Sequence, residues 1–267
     1  MNESVETSKR VVVDGRWDGN VVPGRIDEMG RDVFVREGAE VTGCVYGMNV
    51  RLDGPCAVER AVYASRELVL APRNGDIWIH SSLGSRDLIH VEPGAHRALV
   101  EGDVSANNIH LQNAVVRGNV LGDEIRLEGC TVLGVVQASS VAELSATTCL
   151  TVDAPDLKFS AGCGLLLPYA RAQQRMEIEE PVILWAAGTE DNALGYEDIV
   201  ERGGSKVLSG GRRLTDYAQA RQFVDNIGKF LFSITTAESI RDASVQGGFD
   251  ASLLPAHLVR MLPEVSQ

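Results

Sequence analysis

Two histidines fall where neighbouring layers of a repeat would set them side by side. Matching Ile89 to Ile109 and Val91 to Leu111 puts His90 and His110 on one outward column, and Arg126 and Lys158 continue it. Glu92 stands close by in the chain. Two imidazoles and a carboxylate are donor types for a transition metal, and neutral imidazole is also a common general base. A stacked row of polar residues is equally the ordinary wet surface of a solenoid. The pattern favours the solvated row, so no metal ligand and no catalytic residue is assigned. His80, His96 and His257 show no partner pattern.

The five cysteines are Cys44, Cys56, Cys130, Cys149 and Cys163, odd in number, well separated and without a C-x-x-C pair. Free thiols in a reducing, cytoplasmic setting are expected. Cys56 and Cys130 fall in small inward columns as core filler. Cys44, Cys149 and Cys163 fall on outward positions, where a thiol reacts only if exposed. SKVLSGGRR, from Ser205, holds the residue types of a phosphate-binding loop in the wrong order, so no nucleotide or other cofactor is expected. The formal net charge of -12, with no cluster of Lys and Arg, excludes a nucleic-acid partner. No run approaches the roughly 18 apolar residues of a membrane span, and MNESVETSKR lacks the apolar stretch of a secretory leader. Any membrane association is expected to be indirect.

These side chains need elements to carry them, and the repeat supplies those. Three blocks align without gaps at a spacing of 16: IHLQNAVVRGNVLGDE from Ile109, IRLEGCTVLGVVQASS from Ile125 and VAELSATTCLTVDAPD from Val141. A fourth, LKFSAGCGLLLPYA, begins at Leu157. Columns emerge: Ile109, Ile125, Val141, Leu157; Ala114, Cys130, Ala146, Gly162; Val116, Val132, Thr148; Val120, Val136, Val152; and Gly122, Ala138, Ala154, Ala170. Earlier residues fill the same columns, from Val33, Val35, Ala39, Val41, Gly43, Val45 and Gly47 to Val50, Leu52, Cys56, Val58, Val62 and Ala64. DGNVVP near Asp18 looks like a first, imperfect turn. The rung from Leu68 to Asp87 is longer and less regular.

Apolar and polar residues alternate within each block, the period of strands with one buried face. Three short strands per block make one coil of a triangular tube, and about eight or nine coils at about 4.8 Å give a rod roughly 40 Å long. Apolar residues are 44% of the chain and aromatics only 5%, with 27 glycines, which suits thin aliphatic layers. One coil cannot bury its own inner face, so the stack is the cooperative unit. Glu143 breaks the pattern by falling in the inward column of Leu111, Leu127 and Phe159. A buried unpaired carboxylate is costly, so a local slip that turns Ala142 and Leu144 inward is expected.

The repeat fades after about Tyr169. Met176 to Gly188 reads as one or two strands that could close the solenoid. Glu201 to Arg213 reads as a Gly-rich loop. A helix follows, with Tyr217, Ala220, Val224, Ile227, Leu231 and Ile234 in one apolar stripe, Thr215 or Asp216 as N-cap and Gln219 placed for a capping box. Shorter helices are expected over 236–245 and from Ser252. The expected organisation is a disordered N-terminus (1–10), an all-β triangular β-helix (11–170) and a strand-plus-helix segment (171–267). That last segment either caps the solenoid or docks on a partner through Tyr217, Val224, Ile227 and Leu231.

The G-N-V run, the GAEVTGCV motif from Gly38 to Val45 and the strand-Gly-strand blocks resemble the bactofilins, polymer-forming cytoskeletal proteins of prokaryotes. The resemblance covers roughly Val11 to Pro168. It implies a right-handed β-helix that polymerises end to end without nucleotide into non-polar filaments. The N-terminus departs from the family, since it holds no short apolar membrane-targeting segment, and the C-terminal part reads as folded where many members have short disordered tails. Exposed solenoid ends recruit further strands unless blocked, which assigns self-association to terminal-coil residues such as Val33, Val35, Val41 and Val45. The enzymatic competitor is the hexapeptide acyltransferase, which needs an aliphatic residue at about every sixth position; this sequence keeps 16 and lacks strict hexads. The expected function is a non-enzymatic scaffold that assembles with itself, against a solenoid adaptor that recruits a partner through its C-terminal helices.

Overall fold

The computed structural model describes residues 10–22, 31–167, 169–184 and 193–210. These form a β-solenoid of about nine turns, with three strand segments per turn on three faces.

On face A, β1 (Arg10–Val13), β3 (Asp32–Val35) and the second half of β5 (Val45–Asp53) pair in parallel. The second half of β7 (Val62–Ala71), β10 (Leu88–Val91) and the ends of β12 (Val104–Gln112), β14 (Val120–Glu128), β15 (Thr131–Ser145), β16 (Thr148–Phe159) and β18 (Tyr169–Ile178) continue the ladder. Face B stacks β2 (Arg16–Trp17), β4 (Ala39–Val41), β6 (Cys56–Val58), β8 (Ile77–Ile79), β11 (Ala98–Val100) and β13 (Ala114–Val116). It ends with the first residues of β15 and β16, then β17 (Gly164–Leu165) and β19 (Val182–Leu184). Face C takes a bridge at Val21, the first halves of β5 and β7, then β9 (Leu83–Ser85), and the leading or middle parts of β12, β14, β15, β16 and β18.

Each face has an inward column that follows the register. Face A carries Val33, Val50, Leu68, Ile89, Ile109, Ile125, Ala142 and Leu157, all buried. Face B carries Val41, Val58, Ile79, Val100, Val116, Val132, Cys149 and Leu165, all buried. Face C carries Val45, Val62, Leu83, Val104, Val120, Val136, Val152 and Ala170, also buried. β-Branched and aliphatic residues suit a pleated surface pressed against its neighbours. Each such side chain contributes about 1.5–3 kcal/mol on burial, and its burial needs the coils above and below.

The corners follow two devices. Between faces A and B the chain turns through left-handed backbone at Asn113 (φ 50°), Gly129 (φ 62°), Ala146 (φ 46°) and Gly162 (φ 72°). Between faces B and C, Gly118 lies against the backbone of Gly102, and a Cβ there would come within 2.5 Å of the Gly102 carbonyl carbon. Polar side chains bridge this second corner from coil to coil. Asp103 Oδ1 accepts from the Asn119 backbone N–H at 2.7 Å, and Asn119 Oδ1 accepts from the Val135 N–H at 3.0 Å. Asn20 Oδ1 does the same for the Cys44 N–H at 2.8 Å. The Asn of the G-N-V run thus satisfies a donor in the next coil.

The structure corrects four sequence columns. β15 carries an extra residue between Gln137 and Val141, so Ile125 pairs with Ala142 and Val141 pairs with Glu124. The expected slip is there: Ala142 and Leu144 are buried and Glu143 points outward. Ala146 and Gly162 are corner residues rather than core, because left-handed turns occupy those positions and hand the inward role to Thr147 and Cys163. Val132 pairs with Cys149 instead of aligning with Thr148, and Ala172 rather than Ala170 is the partner of Ala154. The parallel stack continues through β18 and β19, past the point where the sequence columns thin. The stretch read as a Gly-rich loop contains a hairpin: β21 (Ile199–Arg202) and β22 (Ser205–Ser209) turn at Gly203–Gly204. β22 pairs antiparallel with β18, and β20 (Ala193–Leu194) pairs antiparallel with β19. The expected helices lie outside the described residues.

Ala146 holds a conformation that costs an L-residue about 1 kcal/mol. Ala146→Gly is therefore expected to leave stability unchanged or raise it by up to about 1 kcal/mol, whereas Gly118→Ala is expected to lower it by forcing two backbones apart. Urea unfolding of both variants checks this; a clear loss on Ala146→Gly would contradict the left-handed corner.

Candidate functional site

The outward column of face A carries the residues most able to do chemistry. Register places Arg51, Val69, His90, His110, Arg126, Glu143, Lys158 and Glu177 above one another. His90 and His110 meet edge to face, with ring centroids 6.3 Å apart. Arg126 Nε lies 3.2 Å from Glu143 Oε2, and Lys158 Nζ lies 2.7 Å from Glu179 Oε1. A shallow groove opens over His90, His110, Arg126, Glu143, Lys158 and Ser160. Partial burial, then the Arg126 charge, then His90 push the His110 imidazole below its ordinary value. A base held in the neutral form beside a cation accepts a hydrogen bond readily. These charges are nevertheless already paired, Arg126 with Glu143 inside the row, and Lys158 with Glu179 and Glu177 with Arg175 beside it.

Glu92 does not join the histidines. Arg51 Nη1 donates to its Oε1 at 2.8 Å, and Arg73 donates to its Oε2 at 2.7 Å through Nη2 and 3.0 Å through Nε. Arg51 reaches it past Val69 and Ala71 of the intervening coil, the coil that also supplies Arg73. Among the described residues no group of three His, Cys, Asp or Glu side chains is arranged to hold a metal. His80 and His96 do have partners, contrary to the sequence pattern: His80 Nδ1 lies 3.3 Å from Glu101 Oε1 and His96 Nδ1 lies 3.7 Å from Asp76 Oδ1. Both contacts join adjacent coils of uneven length, which a fixed spacing does not align. His257 lies outside the described residues.

The thiols are also rearranged. Cys149 and Cys163 are buried, not outward, because β15's extra residue shifts the coils that follow it. Burial pushes the Cys56 and Cys130 thiols up to about 12 and raises Cys149 and Cys163 as well. Cys163 Sγ donates to the Leu144 carbonyl at 3.2 Å. Cys44 alone is partly exposed.

The two ends of the stack differ. Val33, Val35, Val41 and Val45 lie one coil inside, fully covered by the coil of Val11, Val13, Trp17 and Val21. That outer coil is marked by the exposed side chains of Val12 (46%), Trp17 (39%) and Val22 (42%). Among the described residues, β1 pairs only with β3 and β2 only with β4. At the other end, β20 and β22 lie antiparallel against β19 and β18, and the Ile178 N–H donates to the Tyr196 hydroxyl at 3.0 Å. Tyr217, Val224, Ile227 and Leu231 lie outside the described residues. Among the described residues no helix is long and apolar enough to cross a membrane. The chain matches no family model, no curated protein and no solved structure, so the functional reading rests on this geometry.

Two outcomes follow. A thiol reagent near neutral pH is expected to modify Cys44 alone in the native protein and all five cysteines in denaturant; rapid native reaction at Cys149 would contradict its burial. Arg51 and then Arg73 hold Glu92 below the usual carboxylate range. Its ionised form is favoured by folding, so that stability is present above the unfolded value of about 4.3 and is lost as pH falls through the lower folded value. Glu92→Gln is expected to flatten this part of the acid limb in pH-dependent unfolding.

Proposed function

We propose that the chain is a non-enzymatic scaffold element that associates with itself through its N-terminal coil, without nucleotide. The observation that carries this reading is the one-sided pairing of β1 and β2 beside the exposed Val12, Trp17 and Val22. A parallel edge invites a further strand, and the exposed Val12, Trp17 and Val22 add apolar contact area beside it, while the inward Val13 and Val21 of that coil are themselves buried. The antiparallel strands at the other end favour a closed pair over two-ended growth: their direction differs from the coils, so another coil cannot add there in register. A pair joined through like ends is isologous, with the same surface used twice. The reading keeps the bactofilin-like character of Val11 to Pro168, a right-handed coil and C-terminal helices, and limits polymerisation to one end. Outward charges on face A are consistent with it, since Arg126–Glu143 and Lys158–Glu179 neutralise one another along the rod.

Sedimentation and electron microscopy of the full chain test this at several salt concentrations. Paired rods are expected, and Trp17→Asp or Val12→Lys is expected to weaken pairing at least tenfold while the melting curve stays in place. Single rods at every concentration would overturn self-association and leave the adaptor reading. Long filaments would overturn the blocked C-terminal end.

A further inference from the structure

β1 is the first strand of the first described coil. A coil rises by about 4.8 Å over three faces, so β1 stands ahead of β2 and Val21 along the rod by about 1.6 and 3.2 Å. Its sequence is symmetric in charge. Arg10 and Asp14 carry opposite signs two residues either side of Val12, with Val11 and Val13 between. Arg10, Val12 and Asp14 are exposed, Val11 packs partly buried on the core and Val13 is buried. The corner bends just past Asp14, at left-handed Gly15 (φ 76°).

The backbone settles which groups face along the rod. The Arg36 N–H donates to the Val13 carbonyl at 3.0 Å, and the Glu40 N–H donates to the Gly15 carbonyl at 3.2 Å. Carbonyls alternate between the two edges of a strand. Val12 therefore directs its carbonyl, and its N–H with it, to the edge away from β3. Among the described residues β1 pairs with β3 alone.

We propose that β1 pairs antiparallel with β1 of a second copy of this chain, with the twofold axis at Val12. This register rests on the self-association proposed above. Strands related by a twofold axis across the rod run antiparallel, and each contact occurs twice. Val12 then exchanges both backbone hydrogen bonds with Val12 of the other copy, at a Cα separation of about 5.5 Å. Arg10 faces Asp14 of the other copy. Val11 faces Val13, so the aliphatic interior continues across the join. Two neighbouring registers use the same backbone groups. An axis at Val11 sets Arg10 against Val12, and an axis at Val13 sets Asp14 against Val12 and Arg10 against Arg16. Only the axis at Val12 sets opposite charges together and apolar residues together. Opposite charges directly across two strands stabilise the pair, and like charges destabilise it. Arg10 lies 5.4 Å over the Phe34 ring and Asp14 lies 3.6 Å from Arg36. Both contacts are to the second coil, and they hold the two charges in place without burying them.

Sedimentation of charge variants of the full chain, alone and mixed, tests the register. Arg10→Asp alone sets two carboxylates against each other at both contacts, and Asp14→Arg alone sets two guanidinium groups there. Each is expected to raise the dimer dissociation constant at least fivefold, with circular dichroism unchanged. An equimolar mixture of the two variants restores opposite charges at both contacts. It is expected to pair within about twofold of the unaltered chain. A second readout does not depend on charge. In a Cys44→Ser background, whose other cysteines are buried, Val12→Cys is expected to form an intermolecular disulfide under mild oxidant. Its Cα separation of about 5.5 Å lies within the roughly 4.4–6.8 Å that the bond spans. Tyr63→Cys, exposed two coils further in, is the control and is expected to stay reduced. Failure of the mixture to pair, or of Val12→Cys to cross-link, while the unaltered chain forms dimers would overturn this register and leave self-association standing. An unaltered chain that stays monomeric at every concentration would overturn both.

Discussion

No coil of this protein can bury its own inner face, and that single constraint organises the molecule. A turn places its Val, Ile or Leu side chains beneath those of the next turn, and its backbone donors against the next turn's carbonyls. Hydrophobic burial and strand pairing therefore become available together, layer by layer, and neither is complete until a neighbour arrives. Register is strict because a slip of one residue reverses every side chain. β15 shows how the fold absorbs a slip: its extra residue between Gln137 and Val141 restores Leu144 to the interior and turns Glu143 towards Arg126.

Polar groups follow the same layered logic. At the corner between faces B and C, Asp103 and Asn119 each accept a backbone N–H from the coil above, so the turns are held without spending strand residues. On face A, Arg51 spans a coil to reach Glu92, and Arg73 joins from the coil between. Arg51 and Glu92 are partly buried and Arg73 is exposed, and each pair is individually modest. Their role is positional, since each ties two layers whose relative register the aliphatic core alone would fix less sharply.

Much of this was legible in the sequence where the period held. Val120, Val136 and Val152 are spaced evenly and stack as the spacing predicts, and the G-N-V run marks a real corner. Legibility failed where one residue was gained or lost. Val141, Ala146, Thr148 and Gly162 are each displaced from their expected columns by one: Glu143 in an inward column signalled the slip at Ala142 and Leu144, but a count of 16 does not carry it into the coils that follow. The same displacement hid the burial of Cys149 and Cys163. The hairpin of β21 and β22 was missed because Gly203 and Gly204 read as loop, although two glycines between short apolar runs are also a turn signal. For the candidate site, the outward histidine row was anticipated, but the pairing of Glu92 with two arginines depends on coils of unequal length.

The direction of the strand pairing has a mechanical consequence. All coil-to-coil hydrogen bonds run along the rod, so a pull on one terminus along that axis loads a single layer at a time. Such a rod yields by peeling, and each turn of 16 residues that comes free releases about 55 Å of slack chain. Bending, by contrast, spreads its load over three faces and many layers. The protein is thus built to be stiff from the side and to give way in steps from its ends, with the antiparallel strands against β18 and β19 setting which end lets go first.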